Sequence, residues 1–452
     1  MDAIAAFADH VVATRLLDLP GEVIQAAKAS ILDTLGVGIA GSSQPGACEL
    51  AQMQQECWGT GAEALVWGNG KRLPAAASAM CNAYQVHSSE FDCLHEQAVV
   101  HAMTVVLPVA TAAAERRKAV SGAELLTAVT LGVDIAAGLG VAATTGLRFF
   151  RPATAGAFGG AAAAGKLMAL DRPGMVNAFS IAYAQACGTM QAHAEGSALL
   201  AMQMGFNARN ALTACDLAAH GFAGPKDVLE GQFGYFKLFE TAGCPARVAS
   251  KLGRRWFISE LAHKPFPSGR ATHGIIEACL ALRQMHKISA DAIDRVTARV
   301  PPLVHRLVGR PPQEHMQLSY ARLCAPYLAA RALLAGNVAA EAFTTKACSD
   351  ALALGLARRI VIEAKDAGDP NQLTPIEVEI RLHDGSQHVT RLEVVCGNPA
   401  KPLTRAALVA KFHTNCEAAA RPLAPAKRER LIEGVEHLED VPDVADLMEA
   451  LL

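Results

Sequence analysis

Residues 87–101, HSSEFDCLHEQAVVH, hold three histidines (His87, His95, His101) and three carboxylates (Glu90, Asp92, Glu96) in a chain otherwise rich in Ala, Gly, Leu and Val. Titratable groups packed this densely between apolar flanks are costly to bury. Proteins keep such clusters where protons or ligands are handled. His87 and Glu90, three residues apart, share a face if the backbone there is helical. His95 and Glu96 precede an apolar helix that should begin near His101. The segment reads as an acid/base or substrate-binding cluster at a loop-to-helix junction. The plainer alternative is a capped helix start with solvated acids. A metal site is the obvious rival, but the histidines of HEQAVVH are six residues apart. That spacing does not put them on one helix face as HExxH does. No metal is expected.

Two further segments could hold an anion. In residues 264–273, KPFPSGRATH, Pro265 and Pro267 stiffen an extended approach. Ser268, Gly269, Arg270 and Thr272 then lead into a helix. Free N–H groups at that start, beside Arg270 and Lys264, would cradle a carboxylate or phosphate. An ordinary cap at a domain hinge would explain the same residues. A desolvated lysine can also act as a base, so Lys264 is a candidate for catalysis as well as binding. In residues 148–160, RFFRPATAGAFGG, Arg151 is a candidate anion contact. The glycines there suit close helix packing rather than a dinucleotide, because no strand precedes them. His193 and Glu195 are weaker candidates. Tyr327 lies on an apolar helix face and by default belongs to the core.

The elements that must position these residues change character along the chain. Up to about residue 261 the apolar spacing is helical, with helices expected over 102–118, 122–138, 154–170 and 173–187. Beyond residue 264, IDRVTARV (293–300) alternates as a half-buried strand does. Residues 375–396 carry a hairpin signal with Asp384-Gly385 in the turn. Helical patterns over 327–334 and 341–354 lie between these strands. The tail from residue 404 is helical again. The fold class is therefore mainly α with a smaller α+β region. Residues 1–265 with 398–452 would form one discontinuous all-helical domain, and residues 266–397 the α+β domain.

Composition limits the function. The chain has 452 residues, 51% hydrophobic and 5% aromatic, with a formal net charge of −2 and no long charged run. Nucleic-acid and membrane-surface roles therefore lack electrostatic support. No basic segment precedes an apolar one at the N-terminus, so no secretory signal is expected. The apolar stretch 125–147 is long enough to span a bilayer, but its glycines and Asp134 favour a buried helix. Twelve cysteines without a CxxC pair read as small hydrophobes in a reducing, cytoplasmic compartment.

In this order, ILDTLGVGIAG, the 87–101 segment, FRPATAGAFGGAAAAGKL, AGPKDVLEGQFGYF, KPFPSGRATH and APYLAA resemble the MmgE/PrpD family. Its members include 2-methylcitrate dehydratase, cis-aconitate decarboxylase and iminodisuccinate epimerase. The resemblance implies a large helical domain built from both termini, an α+β lid and a site in the cleft between them. It also implies a homodimer that needs no metal or other cofactor.

Carried over residue by residue, the first acid of the family's DFDDT-type motif falls on Glu90 and the next on Asp92. The following acid falls on Cys93 and the threonine on Leu94. The family's site histidine corresponds to His101, one residue further on, and the lysine of its KPFP-type motif to Lys264. A second site histidine falls on Gly269 or on His273. Tyr327 matches the tyrosine of the SLPY-like segment. The histidine of the HPT motif has become Arg151, and the lysine of a Lys-Arg-Leu-His run is missing. The resemblance thus implies a cofactor-independent lyase of the dehydratase type, acting on a small di- or tricarboxylate by proton abstraction next to a carboxylate. His101, Glu90, Asp92, Lys264 and Tyr327 would be catalytic. Arg270, His273, Ser268, Arg151 and His87 would bind substrate. An epimerase or decarboxylase, or a non-catalytic polycarboxylate-binding relative, are the alternatives.

Overall fold

The computed structural model describes residues 2–59 and 61–452. The first part is helical: α1 (Ile4–Ala13), α2 (Gly21–Gly41), α3 (Ala47–Trp58), α4 (Ala75–Ser88), α5 (Ala102–Arg117), α6 (Gly122–Ala142), α7 (Arg151–Leu167), α8 (Arg172–Gln185), α9 (Gln191–Glu195), α10 (Leu199–Ala219), α11 (Tyr235–Leu238) and α12 (Pro245–Ala249). Local chemistry sets several boundaries. Ser121 and Glu124 form a reciprocal capping box at the start of α6. Asp171 caps α8, with Pro173 in its first turn.

Small residues let these helices touch. A Cβ on Gly132 of α6 would lie 2.8 Å from the Gly159 carbonyl oxygen of α7, and one on Gly159 would lie 2.6 Å from that of Gly132. At the α2–α4 crossing, a Cβ on Gly41 would come within 2.0 Å of the Gln85 oxygen. Helices α2 and α6 are long and apolar enough to cross a membrane, but 78% and 94% of their apolar windows are buried inside the protein. Both are core helices, as the stretch 125–147 was expected to be.

Two short antiparallel pairs link distant segments. Strand β1 (Ala64–Leu65) pairs with β2 (Arg72–Leu73), and β3 (Leu94–His95) pairs with β4 (Leu261–Ala262). The second pair matters for function, because it seats the 87–101 loop against the chain leading to Lys264. The α+β region follows. A mixed sheet in the order β6-β5-β7-β8 is built from β5 (Ile293–Val300), β6 (Ile360–Ala364), β7 (Ile376–Leu382) and β8 (Gln387–Leu392). Strand β6 is parallel to β5, and β7 is antiparallel to both β5 and β8. The β7–β8 turn contains Asp384 and a left-handed Gly385, as the sequence indicates.

The remaining helices are α13 (Arg270–His286), α14 (Pro302–Val308), α15 (Leu318–Ala321), α16 (Ala325–Ala335), α17 (Thr345–Cys348), α18 (Ala351–Ala357), α19 (Arg405–Glu417), α20 (Pro425–Glu436) and α21 (Val444–Met448). The continuous helix expected over 341–354 is instead broken. Thr344 accepts the Ala347 N–H and Asp350 accepts the Leu352 N–H, so each starts a new short helix. The C-terminal helices return to the first part. Phe412 of α19 packs against Gly36 of α2, and the Lys411 ammonium lies 2.7 Å from Asp33. All twelve cysteines are unpaired.

Candidate active site

Three turns of chain converge on Asp92. His87 occupies the last turn of α4. The backbone then reverses through Glu90, held at φ 52°, a conformation that non-glycine residues seldom adopt. After β3, a turn with Val99 at φ 51° closes on a His95–Val100 bridge and delivers His101 to the start of α5. The His87 Nδ1 and His101 Nδ1 lie 2.8 and 2.9 Å from the same Asp92 Oδ2. The Thr104 hydroxyl donates to that oxygen at 2.5 Å. An ionised carboxylate only accepts, so each Nδ1 presents its N–H to it, which leaves Nε2 as the other nitrogen of each ring; that of His87 lies 3.5 Å from Glu90 Oε1. The two rings meet edge to face with centroids 5.0 Å apart.

Lys264 completes the cluster from behind. Its ammonium donates to the Glu90 carbonyl oxygen at 2.8 Å and to Glu90 Oε2 at 3.2 Å, and lies 3.4 Å from Asp92 Oδ1. Burial would raise the Asp92 carboxyl, but His101, His87 and Lys264 outweigh it and hold it well below the usual range. Burial also opposes ionisation of Glu90, where Lys264 and His87 prevail and lower it. The histidines diverge. Burial depresses His101 below the ordinary histidine value despite Asp92. At His87 burial is outweighed by Asp92 and Glu90, leaving it raised. A pair of titratable groups driven apart in this way is how one site obtains a base and an acid at the same pH.

A cavity of about 560 Å³ opens in front of this cluster. His87, Glu90, His101 and His193 line it from the first part of the chain, and Gly269 and Arg270 from the start of α13. The sequence candidates therefore divide. Glu90, His87 and His101 face the cavity, with Asp92 and Lys264 directly behind them. Of the two positions considered for the family's second histidine, Gly269 lines the cavity and His273 does not. A Cβ on Gly269 would already lie 2.5 Å from Leu323 Cδ2. His273 is fully buried, and its ring nitrogens face the Ser268 carbonyl and Arg270.

Several candidates sit off the cavity or are already satisfied by the protein. The Ser268 hydroxyl is buried against that of Thr272. Arg270 reaches the wall, but its guanidinium donates to Glu96 at 2.6 Å and to the Cys396 and Val395 carbonyls. The anion cradle expected at 264–273 is thus largely filled by protein groups. Arg151 is completely buried and donates twice to Glu240, at 2.8 and 2.7 Å. Tyr327 is likewise buried, and its hydroxyl donates to the Ala342 carbonyl at 2.6 Å. In both cases a long polar side chain on a helix facing the core found an internal partner instead of a ligand.

Sequence reasoning missed three residues in or beside the site. Thr104 looked like core in an apolar helix, yet it supplies a hydrogen bond to Asp92. Arg310 donates to the His193 carbonyl at 2.8 Å. Arg322, a lone charge between two apolar runs, borders the space next to His87 and Glu90. That isolated charge was the available signal.

Ligand-type atoms of His87, Asp92 and His101 lie within 4.8 Å of one another, as do those of Asp33, Cys93 and His263. Donor types alone would admit a cation. However, Asp92 already receives the two ring N–H groups and the Thr104 hydroxyl, with an ammonium 3.4 Å away. The Lys411 ammonium lies 2.7 Å from Asp33 in the second trio. Each resident cation competes with a metal.

The chain matches the MmgE/PrpD N-terminal domain over residues 5–245 and the MmgE/PrpD C-terminal domain over residues 266–440. It is similar to cis-aconitate decarboxylase of Mus musculus and of Homo sapiens, 29% identical to each, with 98% of this chain and 92% of each relative covered. It is 27% identical to cis-aconitate decarboxylase of Aspergillus terreus, over 95% of this chain and 92% of that relative. These matches, the helical body with its small mixed sheet and the carboxylate–histidine cavity agree: the chain is an enzyme of the MmgE/PrpD family.

Proposed function

We propose that this enzyme is a lyase that acts, without a cofactor, on a small di- or tricarboxylate by moving a proton at carbon next to a carboxylate. The observation that carries the reading is the pair of histidines sharing Asp92 at the wall of one cavity. Neutral His101, oriented through Nδ1, offers Nε2 as the base. Protonated His87 is the complementary acid. In a dehydration, His101 takes the carbon-bound proton, the C–O bond breaks, and the departing hydroxyl leaves as water with a proton from His87. Negative charge developing on the substrate is offset by Lys264 behind Glu90 and by the preorganised dipoles of the site.

Decarboxylation is the second reading, favoured by the names of the relatives. There the C–C bond to the leaving carboxylate breaks and carbon dioxide departs. The electron pair spreads into the remaining unsaturated acid, and a protonated histidine delivers the proton. In either case residues 1–265 with 398–452 would act as the body and residues 266–397 as the lid of a cytoplasmic homodimer. Incubation with citrate-like and cis-aconitate-like acids, followed by proton NMR and carbon dioxide detection, separates the two readings. An unsaturated product without carbon dioxide supports dehydration, and stoichiometric carbon dioxide supports decarboxylation. Neither product from any acid of the set would contradict the lyase reading.

A further inference from the structure

Among the described residues, five lysine and arginine side chains are buried: Lys28, Arg151, Lys264, Arg270 and Arg322. Four meet a carboxylate, respectively Glu439, Glu240, Glu90 with Asp92, and Glu96. Arg322 meets none among the described residues. Its Nη2 donates to Gln44 Oε1 at 2.9 Å, its Nη1 reaches the Ser88 carbonyl only at 3.4 Å, and its Nε has no partner. The Phe343 ring lies 5.0 Å from the guanidinium carbon. Burial presses its pKa down to about 10, against the attraction of Glu90. A buried charge without a counter-ion is unfavourable. It is tolerable where an anion arrives.

The position of Arg322 indicates which anion. It follows α15 and closes a chamber of about 450 Å³ walled also by Tyr84, His87, Ser88, Glu90 and Ser319. His87, Glu90 and Leu200 are also walls of the cavity at His101, so the two spaces adjoin along that edge. On its other side Arg322 borders a cavity of about 1000 Å³ whose lining is mostly alanine, proline and other apolar side chains. The chamber beside His87 shares the walls His87 and Glu90 with the cavity at His101, whereas the larger cavity, although it holds Ser89, Lys411 and Thr414, shares neither.

We propose that Arg322 is a specificity-determining residue that binds a carboxylate of the substrate remote from the reacting carbon. One carboxylate lies beside the carbon addressed by His101. Another, carried past His87 and Glu90, seats against Arg322, with the Glu90 charge offset by Lys264. The inference rests on the polycarboxylate reading of the site and deepens it: the preferred substrate spans both spaces and carries more carboxylates than the chemistry alone needs.

The test is calorimetric titration of the full-length enzyme with tricarballylate, whose carboxylates can reach both spaces, and butyrate, whose single carboxylate can occupy only one. The wild type is expected to bind tricarballylate about tenfold or more tighter than butyrate. Arg322→Gln should bring that ratio close to one by weakening tricarballylate alone, while Arg322→Lys keeps part of it. Gln44→Glu gives Arg322 an internal carboxylate and should also erase the preference, with the arginine still in place and the fold not at risk. A preference unchanged in Gln44→Glu and in a folded Arg322→Gln overturns the proposal. So does an equal loss of both ligands. If neither acid binds the wild type, the polycarboxylate reading falls and takes this inference with it. A lost preference in an enzyme that turns over neither class of acid upholds Arg322 and leaves only the reaction in question.

Discussion

The central unit is one carboxylate between two imidazoles. Asp92 fixes both Nδ1 atoms, and the surroundings push the two histidines in opposite directions. Asp92→Asn should lower kcat by about 10²–10⁴-fold, since the amide cannot orient both rings or stabilise imidazolium. Asp92 raises both histidines, so both limbs of the kcat/KM profile should move to lower pH in that variant. In the wild type the acid limb belongs to His101 and should lie below the ordinary histidine range. The basic limb belongs to His87 and should lie above it. A wild-type profile with no limb in either region contradicts the assignment. The sequence made this segment legible through its charge density and its resemblance to the family's motif. It did not show that Asp92 is the hub, because the left-handed turn at Glu90 and the bridge at Val100 bring His87 and His101 together across the loop.

At the scale of elements, caps and apolar spacing marked most helices, and alternation marked β5 and the β7–β8 hairpin. Partner choice was not legible. Arg151 opens α7, where an exposed arginine would meet a ligand, but α7 is a core helix and Glu240 reaches it from a loop. Arg151→Met should therefore destabilise the enzyme by about 3–5 kcal/mol, because it strands a buried carboxylate. The remaining folded protein should keep its KM. A raised KM with unchanged denaturant midpoint would restore Arg151 to the substrate. At the α6–α7 crossing, Gly159→Val should cost about 1–3 kcal/mol or more, since even a Cβ would lie 2.6 Å from the Gly132 carbonyl oxygen. Urea unfolding checks both.

At the scale of the whole molecule, buried histidines lie in and around the cavity: His87, His101 and His193 line it, and His273 is buried nearby. Burial, reinforced by Arg310, lowers His193 from 6.5 to about 4. The unfolded chain then binds more protons than the folded one between those values, so this contribution is complete above pH 6.5 and is lost as pH falls towards 4. It amounts to roughly 3 kcal/mol. Thermal melts of His193→Asn should show a shallower loss over that range than the wild type, and parallel curves would contradict it. Activity should also survive exhaustive chelation, because protein cations compete for each candidate metal trio.

The most direct test of the account is proton exchange. In deuterium oxide the wild type should replace a carbon-bound proton of a citrate- or aconitate-like acid, or place deuterium on the product carbon. His101→Asn should slow that event at least 100-fold while still binding tricarballylate. Exchange at the wild-type rate in His101→Asn would contradict the account, as would a wild type that neither exchanges nor converts any acid of the panel.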